Sequence, residues 1–360
     1  MTKGPIALAA GGTGGHMFPA QALAQELQRR GRDTILVTDD RGDRYTKDFP
    51  ANEKYLISAA TPSVGGPIAK IGAAISIGQG VLSTWRQFKS RVPAAAIGFG
   101  GYPSLPTMAA TAMLGVKFGV HEQNGVLGRV NRLLAKRAAF VAHAFPVLDK
   151  LPNGANAIEV GNPVRDAVRA HIDAPFPVSS GKIQILIFGG SQGATIFSTA
   201  PTKAIANLPE ALRENLRVVH QVREDDVAGV REAYRAAGVE AEIAPFFDDL
   251  PARIAASSLV ISRSGASSVT ELSAIGRPSI LVPLAIAMDD HQTGNARVLS
   301  EAKAAIVLPE KTFNEEALGT VMTTLLANPA RLEAMAAAAR DRVKSNAASA
   351  LADLVEEIAA

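Results

Sequence analysis

Short apolar runs that end in glycine, each followed by apolar positions at helical spacing, recur along this chain. The first is "PIALAA" (5–10), a run without alternation, as expected of a parallel strand buried on both faces. Gly11, Gly12, Gly14 and Gly15 follow it, and then Ala20, Leu23, Ala24 and Leu27 fall on one helical face. Pro19 suits a first helical position, and Gly31 after Arg29 and Arg30 suits a helix stop. "IQILIFGGSQGA" (183–194) and "SLVISRSGASSVTEL" (258–272) repeat the strand, loop and helix start, and "AAAIGFGGYPS" (94–104) ends another strand in glycines. The alternation predicts an α/β chain with parallel sheets covered by helices on both faces. Two such sets predict two doubly wound domains, 1–162 and 163–339, whose strand ends can face each other across a cleft. "VGNPVRDAV" (160–168) and "DAPFPVSSG" (173–181) form the expected junction. The alanine-rich tail from Pro329 reads as helical, with Asn346 placed to interrupt it and a last helix of about 340–360 that can pack back on the first domain.

Composition changes this picture in a few respects. With 360 residues and 47% hydrophobic content, two ordinary cores are within reach. There is no cysteine, so neither a disulfide framework nor a thiolate metal site is expected, and a reducing compartment fits. No secretory leader is expected at the first strand. Residues 92–116 carry no charge, but Pro93, Pro103, Pro106 and the glycines at 98, 100 and 101 argue against a spanning helix. The net charge of +3 does not suggest a nucleic-acid partner. From Lys54 to Val120 there is no acid, whereas Lys70, Arg86, Lys89 and Arg91 accompany Ile71, Ile75, Leu82 and Trp85. Such a span suits either an anionic bilayer surface or a core helix rimmed by solvated lysines.

A glycine loop opening a helix presents backbone N–H groups and roughly half a positive charge to an anion; a tight turn that only packs strand on helix is the alternative. Neither "GGTGG" nor "GGSQG" carries the lysine of a P-loop. The dinucleotide fingerprint fails too, since counting from Gly12 its third glycine falls on Met17. Asp39, at the end of "TILVTDD", still keeps a nicotinamide enzyme open. A third class binds a nucleotide sugar on one of two facing sheets and its acceptor on the other, with no metal held by Asp-x-Asp; this chain has no Asp-x-Asp.

Seven segments in order resemble the MurG family of UDP-N-acetylglucosamine:undecaprenyl-pyrophosphoryl-N-acetylmuramoyl-pentapeptide N-acetylglucosaminyltransferases: "GGTGGHMFPA" (11–20), "GGYPS" (100–104), "HEQNGVLGRVN" (121–131), "GNPVR" (161–165), "GGSQGA" (189–194), "SRSGASSVTEL" (262–272), and "GRPSILVP" with "DDHQTGNA" (276–283, 289–296). The resemblance implies two Rossmann-like domains of the GT-B type and an inverting transfer to the muramoyl 4-hydroxyl in peptidoglycan synthesis. It implies no cofactor and no metal. It implies peripheral residence on the cytoplasmic face of the bacterial inner membrane, with an anionic lipid surface and other cell-wall synthesis proteins as partners. Position by position, it assigns the donor to Thr13, Gly14, Gly15, Asn124, Arg165, Ser191, Phe247, Ala266, Ser267, Ser268, Val269, Thr270, Glu271 and Gln292. Phe247 would close on the uracil through its backbone, and Gln292 would read a sugar hydroxyl. Gly12, Tyr102, His121 and Asn131 fall on the acceptor side, and His16 is the expected general base with Glu122 as its rival.

The residues allow plainer readings as well. Ser268-Val269-Thr270-Glu271 is also a capping box, which would make Glu271 a cap rather than a ribose acceptor. Arg165 suits a hinge ion pair, Asn124 and Gln292 suit ordinary loop amides, and His16 suits a loop cap. The chain departs from the family where Thr195, Ser198 and "HQVRED" (220–225) stand. A glycosyltransferase with another lipid acceptor and a non-catalytic nucleotide-sugar-binding subunit are the competing functions.

Overall fold

The computed structural model describes residues 4–57, 67–177, 182–189, 195–340, 342, 344 and 346–360. The chain divides into two compact units, Met1–Asp166 with Lys344–Ala360, and Ala167–Val343.

In the first unit, β1 (Ile6–Ala9), α1 (Gly14–Arg29), β2 (Thr34–Thr38), α2 (Asp40–Asp43), β3 (Glu53–Leu56), α3 (Pro67–Ser90), β4 (Ala95–Gly98), α4 (Ser104–Met113), β5 (Phe118–Glu122), α5 (Arg129–Leu134), β6 (Val141–His143) and β7 (Ala157–Glu159) succeed one another. The seven strands are parallel in the order β3-β2-β1-β4-β5-β6-β7. β1 is buried on both faces: Ile6 and Leu8 join one core layer, Ala7 and Ala9 the other. That is why its sequence is an unbroken apolar run. The order reverses between β1 and β4, so their adjacent carboxyl ends form a topological switch point.

α6 (Asp166–Arg169) straddles the boundary. The second unit runs β8 (Ile183–Phe188), α7 (Thr195–Ala206), α8 (Glu210–Arg213), β9 (Leu216–Gln221), α9 (Val227–Ala236), β10 (Glu240–Ala244), α10 (Leu250–Ala256), β11 (Leu259–Ser262), α11 (Ala266–Ile275), β12 (Ser279–Leu281), α12 (His291–Glu301), β13 (Ala305–Val307), α13 (Glu315–Leu326) and α14 (Pro329–Arg340). Its sheet is parallel in the order β10-β9-β8-β11-β12-β13, with the switch between β8 and β11. α15 (Ala347–Ile358) lies in the first unit, where Leu351, Ala352 and Val355 share a core with Leu23 and Leu27. Arg30 fastens it, reaching Asp353 at 2.6 Å, Glu356 at 2.8 Å and Ser349 Oγ at 2.8 Å.

Two expectations change, at the start of α1 and in the acid-free span, and the reading of 92–116 holds. α1 begins at Gly14, not Pro19, because Thr13 is extended (φ −142°, ψ 160°) and the glycines themselves wind the first turn; Pro19 sits inside the helix. The uncharged 92–116 span folds into β4, a glycine loop and α4, and no helix among the described residues is long and apolar enough to cross a membrane. The acid-free span gains acids in space: Arg91 pairs with Asp33 and Glu53, and Lys54 with Asp43. On α3, Phe88 and Ala73 are buried, while Ile75 and Leu82 are 57% and 45% exposed. Lys89 Nζ stands 5.0 Å from the centroid of the half-buried Trp85 ring. The side chains of Lys70 and Ile71 lie outside the described residues.

Candidate active site

At the first switch point two glycine loops touch. A Cβ at Gly11 would lie 2.6 Å from both Asp39 Oδ1 and the Pro103 ring, and one at Gly101 would lie 2.9 Å from Gly11 O. Gly12 has φ +81°, which favours glycine. Its N–H donates to Asp39 Oδ1 at 2.9 Å, and the same oxygen accepts from Gly42 N at 2.9 Å. Asp39 is therefore the clamp of this loop, and the Gly12 amide is committed to it. Ser104 Oγ, within 3.0 Å of Ala9 O and 2.7 Å of Gly100 O, ties the second loop to β1.

His16 lies in the first turn of α1, with Nδ1 3.0 Å from Gly11 O. A carbonyl can only accept, so Nδ1 carries the proton and the lone pair sits on Nε2. Nε2 faces Gly100: a Cβ there would lie 3.2 Å from Nε2 and 3.6 Å from Asn131 Nδ2. Tyr102 follows on the same loop, half-buried. Gly14 packs against Phe18, but a Cβ at Gly15 would meet only Thr13 Oγ1 at 3.5 Å, so nothing in its surroundings demands a glycine there. Arg165 stacks on Phe18 with its guanidinium carbon 3.7 Å from the ring centroid.

Glu122 ends β5 with its carboxylate fully engaged. Oε1 accepts from Asn124 N at 3.1 Å and Asn124 Nδ2 at 2.9 Å; Oε2 accepts from Gly128 N and Asn131 Nδ2, both at 2.9 Å. Four donors occupy the roughly four lone-pair sites of a carboxylate, so Glu122 organises the 122–131 loop rather than offering a base. Asn131 also donates to His121 O at 3.1 Å, and its buried Oδ1 has no partner among the described residues. His121 is a correction to the acceptor list. It is fully buried, Nε2 donating to Gly161 O at 2.9 Å and Nδ1 accepting from Gln123 at 3.1 Å, so it has no surface for a ligand. Burial lowers its pKa to about 4 and keeps it neutral.

In the second unit the switch point lies beside the amino end of α11. Gly265 is the N-cap, so Ala266, Ser267 and Ser268 supply the first-turn amides that a helix leaves unbonded. Ser267 Oγ is buried without a partner among the described residues. Because the helix starts at Ala266, Ser268 is its third residue and the Ser268–Glu271 capping box does not form. Val269 is the second correction: its side chain is 1% exposed and its N–H bonds Gly265 O, which leaves neither group for a ligand. Thr270 Oγ1 donates back to Ala266 O at 2.8 Å, and Glu271 is buried one turn into the helix. Phe247 lies beneath Arg253, its ring centroid 4.0 Å from the guanidinium carbon, so only its backbone is available. Gln292 Oε1 accepts from Leu284 N at 3.0 Å. Ser191 lies outside the described residues.

Two groups escaped the sequence reading. In the sequence Asp39 reads only as a ribose acid, although its place directly after β2 marks it as a group that can clamp the loop. Arg263, buried, and Glu310, half-buried, pair at 2.6 Å across 47 residues, and no local pattern links them.

Two α/β units, each with a parallel sheet in Rossmann strand order, form the architecture of GT-B glycosyltransferases. Residues 6–143 match the glycosyltransferase family 28 N-terminal domain, and residues 184–357 match the family 28 C-terminal domain. The chain is 49% identical over 354 residues, 98% of each chain, to the UDP-N-acetylglucosamine–N-acetylmuramyl-(pentapeptide) pyrophosphoryl-undecaprenol N-acetylglucosamine transferase of Caulobacter vibrioides. The crystal structure of Acinetobacter baumannii MurG is similar over 98% of this chain and 99% of that one, with a TM-score of 0.78 and 30% identity. The glycotransferase of kitacinnamycin shares the fold, with a TM-score of 0.72 over 99% of each chain at 16% identity. The chain belongs to the MurG family of N-acetylglucosamine transferases, and it is a glycosyltransferase with the GT-B fold.

Proposed function

We propose that this enzyme moves N-acetylglucosamine from UDP-N-acetylglucosamine to the 4-hydroxyl of undecaprenyl-pyrophosphoryl-N-acetylmuramoyl-pentapeptide, with inversion at the anomeric carbon. The observation that carries the reading is His16: Nδ1 held by Gly11 O directs the Nε2 lone pair at the side-chain-free surface of Gly100. Nε2 takes the hydroxyl proton as the acceptor oxygen bonds the anomeric carbon, and the bond from that carbon to UDP breaks, its electron pair leaving on the β-phosphate. Tyr102, Asn131 and Gly12 line the acceptor side; Glu122 and His121 hold the loop that carries Asn131. Gly15 leaves backbone exposed for close approach of Thr13, Gly14 and Gly15 to substrate. Asn124, Arg165, Ser191 and the backbone of Phe247 complete the donor contacts, with diphosphate on Ala266, Ser267 and Ser268, ribose on Glu271 and the sugar on Gln292. UDP release from UDP-N-acetylglucosamine is expected only in the presence of the lipid-linked muramoyl-pentapeptide. Equal release with a diacylglycerol acceptor, or none with either, would remove this reading.

The enzyme works as a peripheral protein on the cytoplasmic leaflet, docking through the exposed Ile75–Leu82 face of α3 beside Arg86, Lys89 and Trp85. Each cation near an anionic surface contributes about 1 kcal/mol, screened by salt. Co-sedimentation with anionic vesicles should rise with anionic lipid and fall with salt. Replacing Lys70, Arg86 and Lys89 by glutamine should remove that dependence, whereas Arg91→Gln should matter little because Arg91 already pairs with Asp33 and Glu53. Wild-type binding by the triple variant would rule this face out.

A further inference from the structure

We infer that the Arg263–Glu310 pair, a buried guanidinium on a half-buried carboxylate, sets the donor-sugar selectivity of this transferase, by holding the 282–285 loop and, through it, the Gln292 carboxamide in one orientation. The inference rests on the proposal that Gln292 reads a hydroxyl of the sugar.

The loop is gripped from two sides. Arg263 Nη1 donates to Val282 O at 3.3 Å and Pro283 O at 3.4 Å. Glu310 Oε1 accepts from Arg263 Nη2 at 2.6 Å, and its Oε2 accepts from Ala285 N at 2.7 Å. Between these fixed points, Leu284 N donates to Gln292 Oε1 at 3.0 Å. The main chain of Gln292 is fixed as well, since Ser264 Oγ donates to Gln292 O at 2.8 Å from the residue next to Arg263. Phe197, its centroid 5.1 Å from the guanidinium carbon, backs the arginine. Burial works against the Glu310 charge, but the bonds from Arg263 and Ala285 prevail and hold its carboxyl below the usual carboxylate range.

A carboxamide is nearly symmetric in shape and opposite in polarity at its two ends. Flipping it exchanges donor for acceptor at the surface it presents. The Leu284 N–H pins the oxygen, so the Gln292 NH₂ is the end left to face a sugar hydroxyl. If the loop relaxes, both flips become accessible, and an altered hydroxyl is no longer penalised by an unpaired amide. Glu310 and Arg263 are thus positioning residues that act through Gln292.

The test measures kcat/KM for UDP-N-acetylglucosamine against analogues altered at the C3, C4 or C6 hydroxyl, with full-length enzyme and lipid-linked acceptor. Gln292→Ala identifies the hydroxyl that is read. Glu310→Gln should weaken discrimination at that same hydroxyl by roughly ten- to hundredfold, with UDP affinity unchanged. In a Gln292→Ala background, Glu310→Gln should have no further effect. Undiminished discrimination by a folded Glu310→Gln enzyme, or an added loss in that background, overturns the inference while the Gln292 reading stands. Undiminished discrimination by Gln292→Ala overturns both. If Glu310→Gln does not fold, Glu310→Asp replaces it, keeping the charge on a shorter stem; full discrimination by that variant also overturns the inference.

Discussion

His16 shows how much a single hydrogen bond decides. Its proximity to the glycine loop follows from numbering, but its chemistry depends on which nitrogen meets the Gly11 carbonyl. With Nδ1 engaged, His16→Ala should lower kcat by roughly 10²- to 10⁴-fold with the acceptor saturating. Glu122→Gln should instead lower thermal stability, because a carboxamide NH₂ confronts donors that the carboxylate oxygens now accept from. Near-normal turnover in the histidine variant would return the base role to Glu122. Glu271 is a parallel case. As α11 starts at Ala266, Glu271→Ala removes no cap, and the fold should stay intact. UDP binding should weaken by about 1.5–3 kcal/mol for each lost charge-assisted bond to ribose. A lowered melting point with intact UDP affinity would contradict the ribose role.

Among the elements, α15 depends on tertiary partners most visibly. Its apolar stripe, Leu351, Ala352 and Val355, fills the first unit's core, and Arg30 binds Asp353, Glu356 and Ser349 from the end of α1. The Arg30 side chain is 21% exposed and Glu356 31%, so that pair is only partly screened, whereas Asp353 at 68% exposure adds little. Arg30→Ala should destabilise α15 by about 1–2 kcal/mol. Amide exchange at Leu351, Ala352 and Val355 should accelerate by about tenfold or more while β8 in the second unit keeps its protection. Uniform exchange across both units would show that α15 does not open locally.

At the scale of the molecule, each unit keeps a neutral histidine in its core. His220 donates from Nε2 to Phe197 O and accepts from Tyr234 on Nδ1, both at 2.9 Å; burial lowers its pKa to about 4, as for His121. The unfolded chain protonates at the ordinary value of 6.5, so it binds more protons than the folded chain between 6.5 and about 4. Stability is complete above that window and falls as pH drops through it, by up to about 3 kcal/mol for each histidine. Melting curves from pH 7.5 to 4.5 should show the decline, and His220→Gln should flatten it in the second unit. A melting point independent of pH across this range would refute the account.

Period and punctuation in the sequence by themselves determined the parallel strands, the glycine loops and the family. A strand buried on both faces must be apolar throughout, and a loop that crosses its neighbour at van der Waals distance must be glycine; Gly11 and Gly101 record that constraint locally. Pro19 is a local signal and lies inside α1, whereas the start of the helix is set by the extended Thr13 before Gly14. Only the tertiary structure decided the rest. It set Asp39 against Gly12, filled Glu122 with donors, buried His121, removed the capping box at Glu271 and joined Arg263 to Glu310 across 47 residues. The physical reason is the same in each case: a polar group's role is set by which partners occupy its lone pairs and protons, and those partners are brought together by strand order, not by neighbourhood along the chain.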